Sequence, residues 1–210
     1  MKNLLIPLAV LSLFAGSSLA QAGSSIDLKV NGKITPSACE PGLSNGGVYE
    51  LGKIPAKGLN VDQPTPLTAK SLQMTITCQA LTLVAIRSVD NRPGSHYESD
   101  NSLRFGLGLV NGNEKVGGMG LSLESIVADG APMYGIGSVG TTGWGPTQVL
   151  SPAFLTSFTH DISTPGMAPA PIQRLTADVL IEPKIAPANT LTLTGEVPID
   201  GSATLDITYL

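Results

Sequence analysis

Side chains that carry chemistry are scarce in this chain. It has two histidines and two cysteines in 210 residues. Neither cysteine sits in a close-spaced pair or near a histidine, which argues against a metal or redox centre. No serine lies in a Gly-x-Ser-x-Gly elbow. Charged residues make up only 13% of the chain and form no basic patch, so nucleic acid is not an expected partner. Sustained helical periodicity and internal repeats are both missing. Aromatic residues amount to 4%. Long apolar runs are absent after the first few residues, which argues against a spanning helix in the exported chain.

What is present begins with an export signal. Lys2 supplies the positive start, and Leu4 to Ala15 is apolar apart from Pro7 and Ser12. Ser18-Leu19-Ala20 and Ala20-Gln21-Ala22 are both small-x-small cleavage sites, so cleavage is expected after Ala20 or Ala22. Taking residues 1–22 as the signal leaves 188 residues, 23–210, enough for one domain. That exported chain carries eleven basic and sixteen acidic side chains, a net charge of −5. The expected route is Sec export to the periplasm. Two cysteines in an oxidising compartment, Cys39 and Cys78, argue for one disulfide with one possible pairing.

The 24 glycines and 16 prolines punctuate short apolar segments that alternate with period two. The strands read from this pattern are Ile26 to Thr35, Leu72 to Cys78, Leu81 to Val89, Leu103 to Leu109, Val116 to Leu123 and Ser125 to Ala128. Phe154 to Ile162, Leu175 to Ile181, a weaker Leu191 to Thr194, and Ala203 to Leu210 follow. The first has Ile26, Leu28, Val30 and Ile34 as its core positions. Asn111-Gly112-Asn113 marks a hairpin. Gly130 to Pro152 reads as a loop around Trp144. Eight to ten such strands predict an all-β, immunoglobulin-like sandwich.

Val30-x-Gly32-x-Ile34-Thr35-Pro36-x-x-Cys39 resembles the opening of pilin subunits assembled by the chaperone–usher route. Cys78 resembles their second cysteine. Gly201 to Leu210, with its penultimate Tyr209, resembles their closing strand. The stretches Phe105-Gly106-Leu107-Gly108 and Val116-Gly117-Gly118-Met119 resemble a fimbria-associated family of exported proteins described as a domain of unknown function. The resemblance implies a sandwich lacking its last strand, with Cys39 and Cys78 bonded. It also implies a groove beside the closing strand, filled first by a periplasmic chaperone and then by a neighbouring subunit's strand. Ala203, Leu205, Ile207, Tyr209 and Leu210 would line it or meet the chaperone. The implied partners are that chaperone, an outer-membrane usher and other fimbrial subunits, with display on the cell surface.

The chain departs from pilins in two respects. Only Gly23, Ser24 and Ser25 precede the alternating run, and Val197 stands where pilins have a glycine about fourteen residues from the end. The expected function is a structural fimbrial subunit or tip component, not an enzyme, with no cofactor and no metal. It includes a contribution to adhesion through a host or surface glycan. The competing reading is a self-completed carbohydrate- or surface-binding module, with Trp144, Tyr134 and Tyr97 as the candidate ligand loop. Trp144 as a loop anchor is the bland alternative. His160-Asp161 near Ser157 or Ser163 as a triad, and His96, Glu98 and Asp100 as metal ligands, are weaker readings set against a solvated loop.

Overall fold

The computed structural model describes residues 38–97 and 105–210, together with Lys29. The expected signal, the first-strand positions Ile26, Leu28, Val30 and Ile34, and the candidate ligands Glu98 and Asp100 lie outside the described residues. Fifteen strands follow one another: β1 (Cys39–Leu43), β2 (Thr65–Pro66), β3 (Lys70–Thr82), β4 (Val84–Asp90), β5 (Phe105–Gly106), β6 (Leu109–Val110), β7 (Glu114–Lys115) and β8 (Gly117–Ala128). Then come β9 (Ala131–Pro132), β10 (Tyr134–Ser138), β11 (Gly145–Pro146), β12 (Val149–Leu150), β13 (Leu155–Thr159), β14 (Ile172–Ile185) and β15 (Ala203–Tyr209). The only helices among the described residues are three turns of 3₁₀ type. The all-β expectation holds.

Two antiparallel sheets carry the core. The first runs β1-β3-β14-β8-β12, with β2, β5 and β9 attached, and the second runs β11-β10-β13-β4-β15. Alternation decides which side chains meet between them. Met74, Ile76 and Cys78 of β3 and Leu175, Ala177, Val179 and Ile181 of β14 come from one sheet. They share a cluster with Val84, Ile86 and Phe158 from the other. Glycine lets backbone come close at two crowded points. A Cβ on Gly117 would sit 2.1 Å from the Lys184 carbonyl oxygen, and one on Gly135 2.3 Å from that of Thr147.

Local sequence explains the turns. Asn111 (φ 49°) and Gly112 (φ 95°) take the left-handed region and join β6 to β7, as the Asn-Gly signal predicts. Asp129 (φ 51°) and Gly130 (φ 84°) do the same between β8 and β9. Ser125 (φ 51°) lies where the β8–β14 register shifts, so the two strands expected at 116–123 and 125–128 are one bulged strand.

Four expectations need correction. The strand expected at 103–109 breaks at Leu107 and Gly108 (φ 94°), leaving β5 on the first sheet and β6 in a separate ladder with β7. The loop expected at 130–152 contains β9 to β12. Its glycines allow a short hairpin to pack closely, and its ladders are too brief for alternation to show. The single strand expected at 81–89 breaks at Leu83, where the chain leaves the first sheet for the second. The strand expected at 191–194 does not form. Leu191 packs on a small cluster with Leu107, Val116 and Ile185. Thr192 gives its N–H (2.7 Å) and hydroxyl (2.6 Å) to the Glu114 carboxylate, not to a ladder.

Candidate functional site: the open edge at the closing strand

One side of the sandwich is shut by the chain itself. Thr147 and Gln148 cross from β11 to β12. The Thr147 N–H bonds Gly135 in the second sheet, and the Gln148 carbonyl accepts from Leu123 in the first. The other side ends on β1 and β15. β15 pairs antiparallel with β4 along its whole length, Ala203 opposite Asp90 through Tyr209 opposite Val84, and has no second ladder neighbour among the described residues. Seven residues make an edge of about 23 Å. Alternate N–H and C=O groups along it point away from β4.

Burial falls off towards this side in both sheets. Ile86 is fully buried, yet Ile207 directly across the ladder is only half-buried. Ser88 is buried and its neighbour Leu205 half-buried; Val84 is buried and Tyr209 is 38% exposed. In the facing sheet, Met74, Ile76 and Cys78 are buried, whereas their β1 partners Leu43, Pro41 and Cys39 are half-buried or exposed. Cys39, Leu43 and Leu72 on one wall and Ala203, Leu205 and Ile207 on the other all pack against the core without being covered. Among the described residues, no strand covers the outer flank of this inward row.

One bond stiffens the first wall and another links it to the second. Cys39 and Cys78 are disulfide-bonded (S–S 2.02 Å) and sit opposite each other in the β1–β3 register. The Cys39 N–H donates to the Tyr209 hydroxyl at 2.9 Å and bridges the sheets. Leu210 donates its N–H to Leu83 and is 37% exposed at the end of the edge. The predicted strand residues Ala203, Leu205, Ile207, Tyr209 and Leu210 are thus gathered on one edge, with the disulfide beside it. Sequence reasoning missed the bond between Tyr209 and Cys39, which are 170 residues apart.

The candidate ligand loop is not assembled. Trp144 is 9% exposed, packs on Ala85 and Ile136 with Leu155, Ile162 and Met167, and donates its indole N–H to the Thr141 carbonyl at 3.1 Å. Its faces are covered, so it anchors a loop over the outer face of the second sheet and offers no sugar platform. Tyr134 is 48% exposed on β10 in that sheet, while the Tyr97 N–H bonds Gly117 in the first. We expect the emission of this single tryptophan to be blue-shifted and resistant to iodide in the native protein, moving to the red only on unfolding. Strong native quenching would contradict this placement.

The serine and the aspartate of the triad reading are engaged elsewhere. Ser157 is fully buried and its hydroxyl donates to the Val84 carbonyl at 2.6 Å. Asp161 accepts from the Ser163 N–H (2.7 Å) and the Thr164 hydroxyl (2.9 Å), while His160 is exposed. Among the described residues no three His, Cys, Asp or Glu side chains cluster as metal ligands. A second depression of about 960 Å³ lies between residues 49–59 and 191–199, floored by Val116 and Ile185, with the exposed Lys53–Glu196 pair (2.8 Å) among its lining residues.

Three carboxylates are held below their ordinary range by donors that favour the charged form. These are Glu114 by Thr192 and Asn111, Asp161 by Ser163 and Thr164, and Asp200 by hydrogen bonding to Arg92. A group whose folded pKa is depressed adds stability that is complete above its unfolded value and is lost as pH falls through the folded one. Thermal melts should therefore be level near neutrality and fall below about pH 4. Asp161 and Asp200 are exposed and Glu114 is only half-buried, so the individual contributions are small.

Fold and edge together define a disulfide-bonded all-β sandwich that is open on one side among the described residues. Among known proteins, the family described as "Protein of unknown function (DUF1120)" matches residues 28–104. The chain is similar to the uncharacterized protein YhcF of Escherichia coli (strain K12), 26% identical over an alignment of 242 residues covering all of both chains. It is also similar to protein GltF of the same organism, 26% identical over 241 residues, covering 96% of this chain and 95% of that one. The family description and the two names state no activity and no partner.

Proposed function

We propose that the chain is a structural subunit of a fimbria-type surface fibre, exported to the periplasm and assembled by accepting a strand along β15. The observation that carries this reading is the drop in burial from Ile86 to Ile207 across one ladder, at a strand with no second ladder neighbour among the described residues. An added strand would satisfy the outward N–H and C=O groups and cover Leu205 and Ile207, which is recognition by β-augmentation. The disulfide fits the oxidising compartment. The first described strand opens at Cys39, so the alternating residues Ile26, Leu28, Val30 and Ile34 stand ahead of it. Their alternating pattern makes a peptide of residues 24–36 a suitable probe of that edge.

The partners in this reading are a periplasmic pilus chaperone, an outer-membrane usher and sibling subunits. Expressed alone in the periplasm, the disulfide-bonded chain should accumulate poorly or associate. Co-expression with a pilus chaperone, or addition of a peptide carrying residues 24–36, should yield a soluble one-to-one complex. A monomer that is stable alone and ignores both would overturn the proposal.

A further inference from the structure

An edge strand paired on one side frays readily, because half of its backbone bonding depends on solvent. The start of β15 is nevertheless fastened by the turn that follows β4. The Asn91 N–H bonds the Ser202 carbonyl at 3.0 Å. The Asn91 amide nitrogen reaches the Ser202 hydroxyl at 2.9 Å and the Thr204 hydroxyl at 3.0 Å. Arg92 grips Asp200 with two parallel bonds, Nε to Oδ2 and Nη2 to Oδ1, both 2.8 Å. Bidentate pairs of this kind fix orientation as well as distance.

The turn is itself held. Asp90 accepts the Arg92 N–H through Oδ1 (2.9 Å) and the Gly106 N–H through Oδ2 (3.2 Å). Asp200 donates its N–H to the Leu107 carbonyl at 3.0 Å. Residues 90–92 thereby tie the first residues of β15 to β4 and to the chain at 105–107. The remaining cross-strand ion pair, Arg87–Asp206 at 3.2 Å, makes one contact between exposed groups and adds little.

We propose that Asn91 and Arg92 are positioning residues that keep β15 extended, so that the strand-accepting edge is formed before any strand arrives. The arriving strand rests on the function proposed above; the clamp itself does not. An ordered edge lowers the ordering cost of association. Loss of the clamp should therefore act on capture and on local opening of β15, leaving the core in place.

The test compares the disulfide-bonded exported chain with Asn91→Ala, Arg92→Ala and Arg92→Lys by hydrogen exchange. The second readout is the association rate of a synthetic peptide of residues 24–36. The expected result for either alanine variant is exchange at 203–207 accelerated about tenfold, with β13 and β14 unchanged. Peptide association should slow while the melting temperature moves little. Arg92→Lys should lie between, since an ammonium cannot reproduce the fork. Unchanged exchange at β15, or acceleration spread evenly over both sheets, would overturn the proposal. If β15 loosens in the variants but the parent captures no peptide, the clamp stands and the strand-accepting function falls.

Discussion

Replacing Cys39 and Cys78 together by serine is expected to cost about 4 kcal/mol, because the bond closes a loop across a sequence separation of 39 residues. The loop-entropy relation gives that figure for the unfolded chain alone. It is a large share of the roughly 5–15 kcal/mol that holds a typical domain. In a domain of this size the melting temperature should drop by about 8–16 °C. Local consequences should exceed the average. Cys39 opens β1 and meets Tyr209, so losing the bond releases one wall of the open side. Urea titration under oxidising and reducing conditions checks the magnitude. Equal midpoints would show that the bond contributes nothing.

The second large effect is a contrast between two isoleucines facing each other across one ladder. Ile86→Ala should cost about 2–5 kcal/mol, since the side chain is fully enclosed and its removal leaves a cavity. Ile207→Ala in the isolated chain should cost about 1 kcal/mol, because solvent already reaches the half-buried side chain and part of its burial remains unrealised. With a strand or chaperone bound, Ile207 becomes a buried residue, and the same substitution should weaken the complex by about tenfold or more. Ile207→Asp should abolish capture outright, as an unpaired carboxylate would be enclosed. Denaturation of both alanine variants, free and in complex, checks the pair. Equal costs in the free chain would mean that Ile207 is already covered.

Period-two patterns over long segments are legible because they report a face held constant for many residues. The stretches 72–78, 175–181 and 203–209 show it, and all three are strands. Short ladders are not legible in this way. β9 to β12 are two to five residues each, too brief for alternation to rise above the glycines that let them pack. Trp144 has the same local context whether it faces solvent or folds inward. What decided between these was the position of Ala85 and Met167, which lie in other parts of the chain. Asn91 and Arg92 sit in a polar Asn-Arg-Pro-Gly turn. Their clamping role exists only because β15 returns beside them after more than a hundred residues.

By itself the sequence determined an all-β chain with one available disulfide and a closing strand that alternates, since these depend on residue type, count and local period. Only the tertiary structure decided that, among the described residues, this strand lies at an edge, that burial falls along β1 on the same side, and that the opposite side is shut. Alternation is the same for a strand with one neighbour or two. Which it has depends on contacts between residues far apart in the chain, and local chemistry does not encode them.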